Sequence, residues 1–281
     1  MNEPTAYAVC NRTIRPRRGL EAVNFAELWD YRELFLFLAW RDILVRYKQT
    51  YLGVAWAVLQ PLLMVATITV VFGRMARLSS EGAPYAVMTF AALMPWLLFA
   101  NTTNAGSASL VAAAGMISKV YFPRLIIPAS AVLGGLLDFL VWTVVLGVLM
   151  WIYKVEFTVR LLLLPVFLAA ALLAALAAGL WLSALHVKYR DVKYVTPFLI
   201  QLGAFLSPVY YPAGLVPARW LGCYSLNPMA GAIAGFRWCV LGPQFEPRWP
   251  EFWGGLGITY FLLVSGAVFF RSTERTFADV I

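Results

Sequence analysis

The chain has 281 residues, of which 62% are hydrophobic and only 13% are charged, and its formal net charge is +8. A soluble domain carries about 25% charged residues, so this composition excludes an ordinary soluble protein and predicts a polytopic membrane protein. The basic residues lie beside apolar runs, which favours membrane lipid over nucleic acid as their partner.

The N-terminal part of the chain is polar and then amphipathic. Residues 1–23 are rich in arginine and lack the apolar stretch of a signal peptide, so they predict a cytoplasmic tail. In residues 25–47, charged residues alternate with large apolar ones, which predicts one or two amphipathic helices at the membrane interface. We therefore take residues 1–51 as a cytoplasmic tail with interface helices, and 272–281 as a cytoplasmic C-terminal tail.

Six apolar stretches between these tails are long enough to cross a bilayer as helices. They are residues 49–73, 85–106, 125–153, 161–187, 194–218 and 252–270. The uncharged segment 220–236 contains Asn227-Pro228 and several glycines, which predicts a re-entrant external hairpin before the last span. The sequence thus predicts an all-α membrane protein whose transmembrane domain, residues 52–271, has six transmembrane helices.

The distribution of basic residues predicts the orientation of these spans. About two thirds of the 22 lysines and arginines fall on segments that a cytoplasmic N-terminus would place inside. Both termini are therefore expected in the cytoplasm. Cys223 and Cys239 fall in one predicted outer segment, where they could form a disulfide or remain free thiols.

Sequence motifs for catalysis are missing from the chain. It has no Gly-x-x-x-x-Gly-Lys-[Ser/Thr] segment to hold ATP, only one histidine, and no carboxylate pair placed for glycosyl chemistry. We expect no catalytic residue, metal site or cofactor in this chain. Any ATP hydrolysis, with its Mg²⁺, would belong to a second polypeptide.

Three basic residues, Arg41, Arg46 and Lys48, precede the first span and suit an anionic membrane face, where they could simply set its orientation. The longer pattern formed by Arg41-Asp42, residues 46–50, Leu52-Gly53, Trp56 and Gln60-Pro61 resembles the beginning of the first span in ABC-2 type permeases. More narrowly, it resembles the branch that exports O-antigen, capsule and teichoic-acid chains.

Two later segments carry the same resemblance. The inner segment 119–124 contains Lys119, Tyr121, Phe122, Pro123 and Arg124. Aromatic residues with arginine are typical anchors of protein interfaces, although an interfacial turn would have the same composition. The resemblance implies that this segment docks on an ATPase subunit. Asn227-Pro228 and Arg237 resemble the external gate segment before the last span.

Aromatic residues are concentrated in two of the predicted spans. Tyr47, Tyr51 and Trp56 lie at the first span, and Phe198, Phe205, Tyr210 and Tyr211 lie along the fifth. An apolar ring face can stack on the C–H face of a sugar without a fixed hydrogen-bond pattern. These rings therefore predict a channel for a sliding glycan, with ordinary packing as the alternative.

The resemblance implies a membrane-spanning permease that forms a homodimer, with two copies of an ABC ATPase subunit. Its cargo would be a lipid-linked polysaccharide moved from the cytoplasm to the outer side of the bacterial inner membrane. The anionic lipid pyrophosphate would enter at Arg41, Arg46 and Lys48.

Three other functions remain open from the sequence. The first is an ABC-2 efflux pump for a small amphiphile or lipid. The second is a membrane enzyme acting on lipid-linked sugars, which the missing acidic cluster disfavours. The third is an ion-coupled carrier that depends on Asp138, the carboxylate near the middle of the third span.

Overall fold

The computed structural model describes residues 25–47, 53–274 and 277, and this part of the protein is helical with no strand. Twelve α-helices follow one another along it. They are α1 (Phe25–Asp30), α2 (Arg32–Tyr47), α3 (Gly53–Ile68), α4 (Tyr85–Ala112), α5 (Ala114–Ile117), α6 (Ile126–Gly134), α7 (Leu136–Ile152), α8 (Leu164–Lys188), α9 (Val192–Leu206), α10 (Leu221–Ser225), α11 (Pro228–Leu241) and α12 (Trp249–Thr273).

Five helical segments of the described chain are long and apolar enough to cross a membrane. They are Ala55–Met75, Tyr85–Ala112, Ile126–Ile152, Val159–Lys188 and Trp249–Thr273. The first continues α3 through the π-helical turn Thr69–Met75, and the third joins α6 to α7. The prediction of an all-α, multi-pass membrane protein is confirmed, and these five segments overlap the first four and the last of the predicted spans.

The predicted fifth span, residues 194–218, contains a shorter helix than expected. Helix α9 has only 15 residues and ends at Leu206, where Ser207 adopts an extended backbone conformation. Pro208 follows, and the residue before a proline is disfavoured in the α conformation. The rest of this apolar stretch forms turns and short 3₁₀ segments, so the count of six spans stays a prediction.

Helix α4 is the central element of the bundle. In its most apolar window 83% of the residues are buried, and it packs against α3, α6, α7, α8, α9 and α11. Its closest neighbour is α8, where Ala171, Ala175 and Gly179 present little side-chain volume and let the two backbones approach.

Two helices at the edge of the bundle leave most of their apolar surface uncovered. Only 17% of the window in the first candidate span, which includes α3, is buried. Helix α9 packs on α4 and α8 through one face, and its other side chains are exposed. In one copy of the chain, α3 and α9 therefore present an apolar surface that has no covering helix from the described residues.

The N-terminal helices confirm the helical part of the prediction for residues 25–47. Helix α2 packs on α6 with Leu38 and Ala39 buried, whereas Trp29, Phe37 and Trp40 are exposed. Large apolar side chains on the uncovered face suit a position at a membrane surface. That position stays a prediction.

Of the predicted C-terminal tail, residues 272–281, the structure describes 272–274 and Phe277. Phe277 is fully buried and contacts the ring of Phe270 edge to face, with 5.3 Å between the ring centroids. Both rings belong to the apolar cluster that contains Phe122 and Ile127. Phe277 therefore packs against the C-terminal end of α12.

Asp138 and the two cysteines have defined environments. Asp138 is buried in the first turn of α7, directly after the break at Gly135 that separates α7 from α6. Cys223 is exposed, Cys239 is buried, and both are free thiols.

Candidate functional site

Arg41 is the one residue of the predicted headgroup site whose side chain the structure describes. It is half exposed on α2, and its Nε and Nη2 groups donate hydrogen bonds of 3.1 Å and 2.8 Å to Oδ1 of Asp42. Arg46 and Tyr47 end α2, but their side chains lie outside the described part, as do Lys48 and Tyr51 entirely. The headgroup site therefore stays a prediction.

Three of the predicted path residues lie on exposed helix faces. Trp56 on α3 is 55% exposed, and Phe198 and Phe205 on α9 are 63% and 56% exposed. These rings contribute little to the core of one chain. They are available to a lipid, to a cargo or to another protein.

Tyr210 lies between the C-terminal end of α9 and the π-helical turn that continues α3. Its ring stacks on Phe72 with 6.3 Å between centroids and is tilted against Phe205 at 5.2 Å. Its backbone carbonyl accepts a hydrogen bond of 3.0 Å from the hydroxyl of Tyr85, and the Tyr211 hydroxyl donates one of 3.1 Å to the Phe205 carbonyl. Three aromatics predicted on the fifth span, Phe205, Tyr210 and Tyr211, thus form one cluster with Phe72, which the sequence did not single out. Trp56 lies towards the other end of α3.

Arg237 of α11 bonds to the backbone that carries this cluster. It is only 3% exposed, and its guanidinium donates to the carbonyls of Met88 (3.4 Å), Val209 (3.2 Å) and Tyr211 (3.0 Å). These bonds join α11 to the start of α4 and to the segment after α9. The sequence placed Arg237 at a gate but could not show that its partners are backbone carbonyls.

Asn227 and Pro228 begin α11 in the same region. The Asn227 side chain caps the helix by accepting a hydrogen bond from the Met229 amide (2.9 Å), and its Nδ2 donates to Ser207 Oγ (2.9 Å). Proline suits the first helical position, where no amide hydrogen is needed. Two of the three predicted gate residues, Asn227 and Arg237, therefore bond to the segment that follows α9, and Pro228 begins α11 beside them.

Replacing Arg237 with leucine should strongly destabilise the protein. The buried carbonyls of Met88 and Val209 and the half-buried carbonyl of Tyr211 would lose their donor. We expect a loss of roughly 3 kcal/mol or more. Heating the detergent-purified protein and following its monodisperse fraction by size exclusion measures this loss. Arg219→Leu is the matched control, because Arg219 is exposed beside Trp220. Equal thermal shifts in the two variants would contradict a clamping role for Arg237.

The segment 119–124, which is predicted on the inner side, has exposed residues in its first part and buried ones in its second. Lys119 and Tyr121 are exposed, Tyr121 by 64%, whereas Phe122 is only 4% exposed and Pro123 is buried. Both the Arg124 amide and its guanidinium donate hydrogen bonds to Glu274. A docking surface on this segment would therefore consist of Lys119 and Tyr121, while the other three residues attach it to the end of α12.

A cleft of about 920 Å³ lies between α4, α8, α9 and the segment that contains α10. Its walls are mainly apolar and aromatic and include Trp96, Phe99, Tyr211 and Trp220. Of the residues that line this cleft, the sequence singled out Phe205, Tyr211, Asn227 and Pro228. It missed Trp96, Phe99 and Trp220. Within an uncharged span, nothing in the residue types distinguishes Trp96 and Phe99 from ordinary core residues.

Long apolar helices around a central buried one, with two exposed helices at the edge, define a multi-pass membrane protein. The family model described as ABC-2 type transporter matches residues 33–241, and the chain belongs to this family. The resemblance found in the sequence is thereby confirmed.

Three curated relatives are similar over most of their lengths. The O-antigen export system permease protein RfbA of Myxococcus xanthus is 28% identical over 261 residues, which are 91% of this chain and 98% of the relative. A protein of that name from Klebsiella pneumoniae is 26% identical, over 92% and 97%. The polysialic acid transport protein KpsM of Escherichia coli is 24% identical, over 73% and 80%.

Proposed function

We propose that this chain is the membrane-spanning permease subunit of an ATP-driven exporter. It moves a lipid-linked polysaccharide, of the O-antigen, capsule or teichoic-acid type, from the cytoplasm to the outer side of the bacterial inner membrane. The main support is the match to relatives named as O-antigen export permeases, which extends over nearly their whole length. The exposed rings on α3 and α9 suit a carbohydrate cargo.

The exporter assembles as a homodimer with two copies of an ABC ATPase subunit, which binds ATP and Mg²⁺. This arrangement is supported by the family match and by the missing ATP-binding motif in the sequence. The uncovered apolar surface of α3 and α9 is where a second copy would pack. The two copies then enclose the path between them.

Each copy has six spans, with α9 and the residues after it as the fifth, and a re-entrant hairpin formed by α10 and α11. The carbonyls of Ser225 and Asn227 lie against Gly254 and Gly255 of α12. These glycines are five and six residues after the start of α12, or about 8 Å along its axis. The turn between α10 and α11 therefore lies deeper than the beginning of α12.

Named residues have the following roles in this proposal. Arg41, Arg46 and Lys48 bind the lipid pyrophosphate, and Lys119 with Tyr121 docks on the ATPase. Asn227, Pro228 and Arg237 hold the external gate. The sugars pass over the rings of Tyr47, Tyr51, Trp56, Phe198, Phe205, Tyr210 and Tyr211.

A second candidate function is an ABC-2 efflux pump for a small amphiphile or lipid. The observation that favours it is the mainly apolar cleft of about 920 Å³ beside α9, which is large enough for a compact lipophilic molecule.

Deletion of the coding sequence in the source bacterium tests both candidates. For the glycan exporter, we expect loss of surface polysaccharide, accumulation of lipid-linked polymer inside the cell, and restoration by a plasmid copy. Unchanged surface polysaccharide together with increased sensitivity to amphiphilic compounds would contradict the glycan exporter and favour the efflux pump.

The proposed orientation places Glu81, Glu156 and Glu246 outside. All three are exposed in loops between helices. Single cysteines at these positions, in a chain whose three native cysteines are alanine, should react with a membrane-impermeant thiol reagent in intact cells. A cysteine at the exposed inner position Ser118 should react only after permeabilisation. Protection of the Glu156 site would contradict the topology between the third and fourth spans.

A further inference from the structure

The inner half of α4 carries two asparagines, Asn101 and Asn104, on the same helix face as the small residue Ala108. Spacings of three and four residues place the three side chains together. Asn101 and Ala108 are exposed and Asn104 is half-buried, although α4 is otherwise the buried centre of the bundle. Neither asparagine side chain forms a hydrogen bond with a described residue.

Around the inner half of α4, this face lies in a sector that no described neighbouring helix covers. Thr102 faces the α6–α7 junction, Gly106 faces α8, and Ser107 faces α9, where its hydroxyl lies 3.4 Å from that of Thr196. At 100° per residue, these directions are about 100°, 140° and 240° around the axis from Asn101. The remaining sector lies between α9 and the side where α3 packs on α4 and α7.

The same face is covered in the outer half of α4. There it carries Val87, Phe90 and Met94, which are completely buried in one cluster with Val65 and Ile68 of α3. From the outer to the inner half of α4, this face thus changes from large, buried apolar side chains to two amides and an alanine that no described helix covers. This change matches a groove that widens towards the inner end.

The depth of the two asparagines makes exposure to lipid unfavourable. Asn101 and Asn104 lie about 4 Å and 8 Å along the axis from the middle of α4, within the hydrocarbon thickness of a bilayer. An amide that faces lipid chains loses its hydrogen bonds at a cost of several kcal/mol. These amides therefore face water, a cargo or another protein.

We propose that Asn101 and Asn104 form the floor of the inner half of the translocation path and hydrogen-bond the hydroxyl groups of the passing polysaccharide. This inference depends on the proposed export function. An amide offers two donors and an acceptor without charge, which matches the mixed donor and acceptor character of sugar hydroxyls. In this proposal, the two amides bind the hydroxyl groups of the sugars, and the aromatic rings of α3 and α9 stack on the C–H faces.

The position of the floor favours cargo over direct contact with a second copy. The flanking helices α3 and α9 carry large exposed rings, among them Trp56 and Phe198. A second copy that approaches this face meets these rings first, so the floor between them borders a gap. The gap lies inside the dimer and is accessible to water from the cytoplasm.

Thiol accessibility tests whether the floor faces water, independently of any cargo. Asn101→Cys or Asn104→Cys, in the chain without native cysteines, should react with a small charged thiosulfonate in inverted membrane vesicles. Thr143→Cys is the control, because Thr143 is exposed on α7 beside Leu140 and Val144 and should face lipid. An unreactive residue 101, or its disulfide cross-link to the second copy in high yield, would overturn the proposal.

The double substitution Asn101→Leu with Asn104→Leu tests cargo contact. It preserves side-chain size and membrane insertion but removes both amides, and we expect about tenfold slower export at normal abundance and ATPase co-purification. Thr143→Leu should export at the parental rate. If the double variant does so too, in a strain whose deletion stops export, this assignment is wrong. If deletion leaves surface polysaccharide unchanged, the proposed function itself fails.

Discussion

Replacing Lys119 and Tyr121 with alanine should leave the permease folded but separate it from its ATPase, so that export stops. Both side chains are exposed on the inner segment, and Phe122 and Arg124 keep that segment attached to the end of α12. Truncation of a central aromatic anchor costs about 2 kcal/mol or more, which is roughly 30-fold in affinity. The loss of the lysine charge adds to this cost.

Co-purification of the ATPase with tagged permease measures the docking directly, and surface polysaccharide measures its consequence. Tyr153→Ala is the matched control, because Tyr153 is an exposed tyrosine at the opposite, predicted outer end of α7. Phe122→Ala should instead lower the abundance of the permease, since Phe122 is buried. Full ATPase recovery and parental export in the double variant would exclude this segment as the docking site.

Long-range packing explains why the sequence did not separate Tyr121 from Phe122. The two aromatics are adjacent and chemically similar, and nothing local indicates which one is buried. Phe122 is covered in a cluster that includes Phe277, and Arg124 bonds to Glu274, both from the far end of the chain. A pattern within six residues cannot show a contact made across 150 residues of sequence.

Hydropathy predicted five long helical spans, but it did not predict that the helix in the fifth apolar run would be short. An uncharged run of sufficient length indicates that a segment can be inside the membrane, but not that it stays helical. After Leu206 the residues remain mostly apolar, yet the backbone is extended at Ser207 and residues 207–209 form a turn. The prolines in this run are visible in the sequence and argue against a plain helix, but they do not fix the residue at which the helix ends.

The asparagines of α4 were also visible in the sequence and were missed. Asn101 and Asn104 count as uncharged residues, so they did not interrupt the predicted second span. Their spacing places them on one face, but only the packing of α3, α7 and α9 shows that this face is open. Composition identifies a membrane segment, whereas the side chains that neighbours leave uncovered identify a path.

Replacing Trp56, Phe205 and Tyr210 together with leucine should nearly stop export without preventing membrane insertion. Trp56 and Phe205 are more than half exposed, and the Tyr210 ring joins Phe205 to Phe72. A stacking contact is worth about 1 kcal/mol, so each single variant should slow export about fivefold. Because the Phe205 and Tyr210 rings are in contact, their losses need not add, and the triple variant should be about twenty-fivefold to a hundredfold slower.

The backbone contacts around Tyr210 make this substitution a test of the ring alone. The Tyr85 hydroxyl bonds to the Tyr210 carbonyl, which leucine retains, and Arg237 bonds to neighbouring carbonyls. The matched control replaces Trp151, Tyr260 and Phe261, three exposed aromatics on α7 and α12, with leucine and should export at the parental rate. If the path variant also delivers full-length polysaccharide at that rate, with normal abundance and ATPase activity, the rings only pack against lipid or the second copy. A sliding path would then have to depend on the amides of α4 without the aromatic walls.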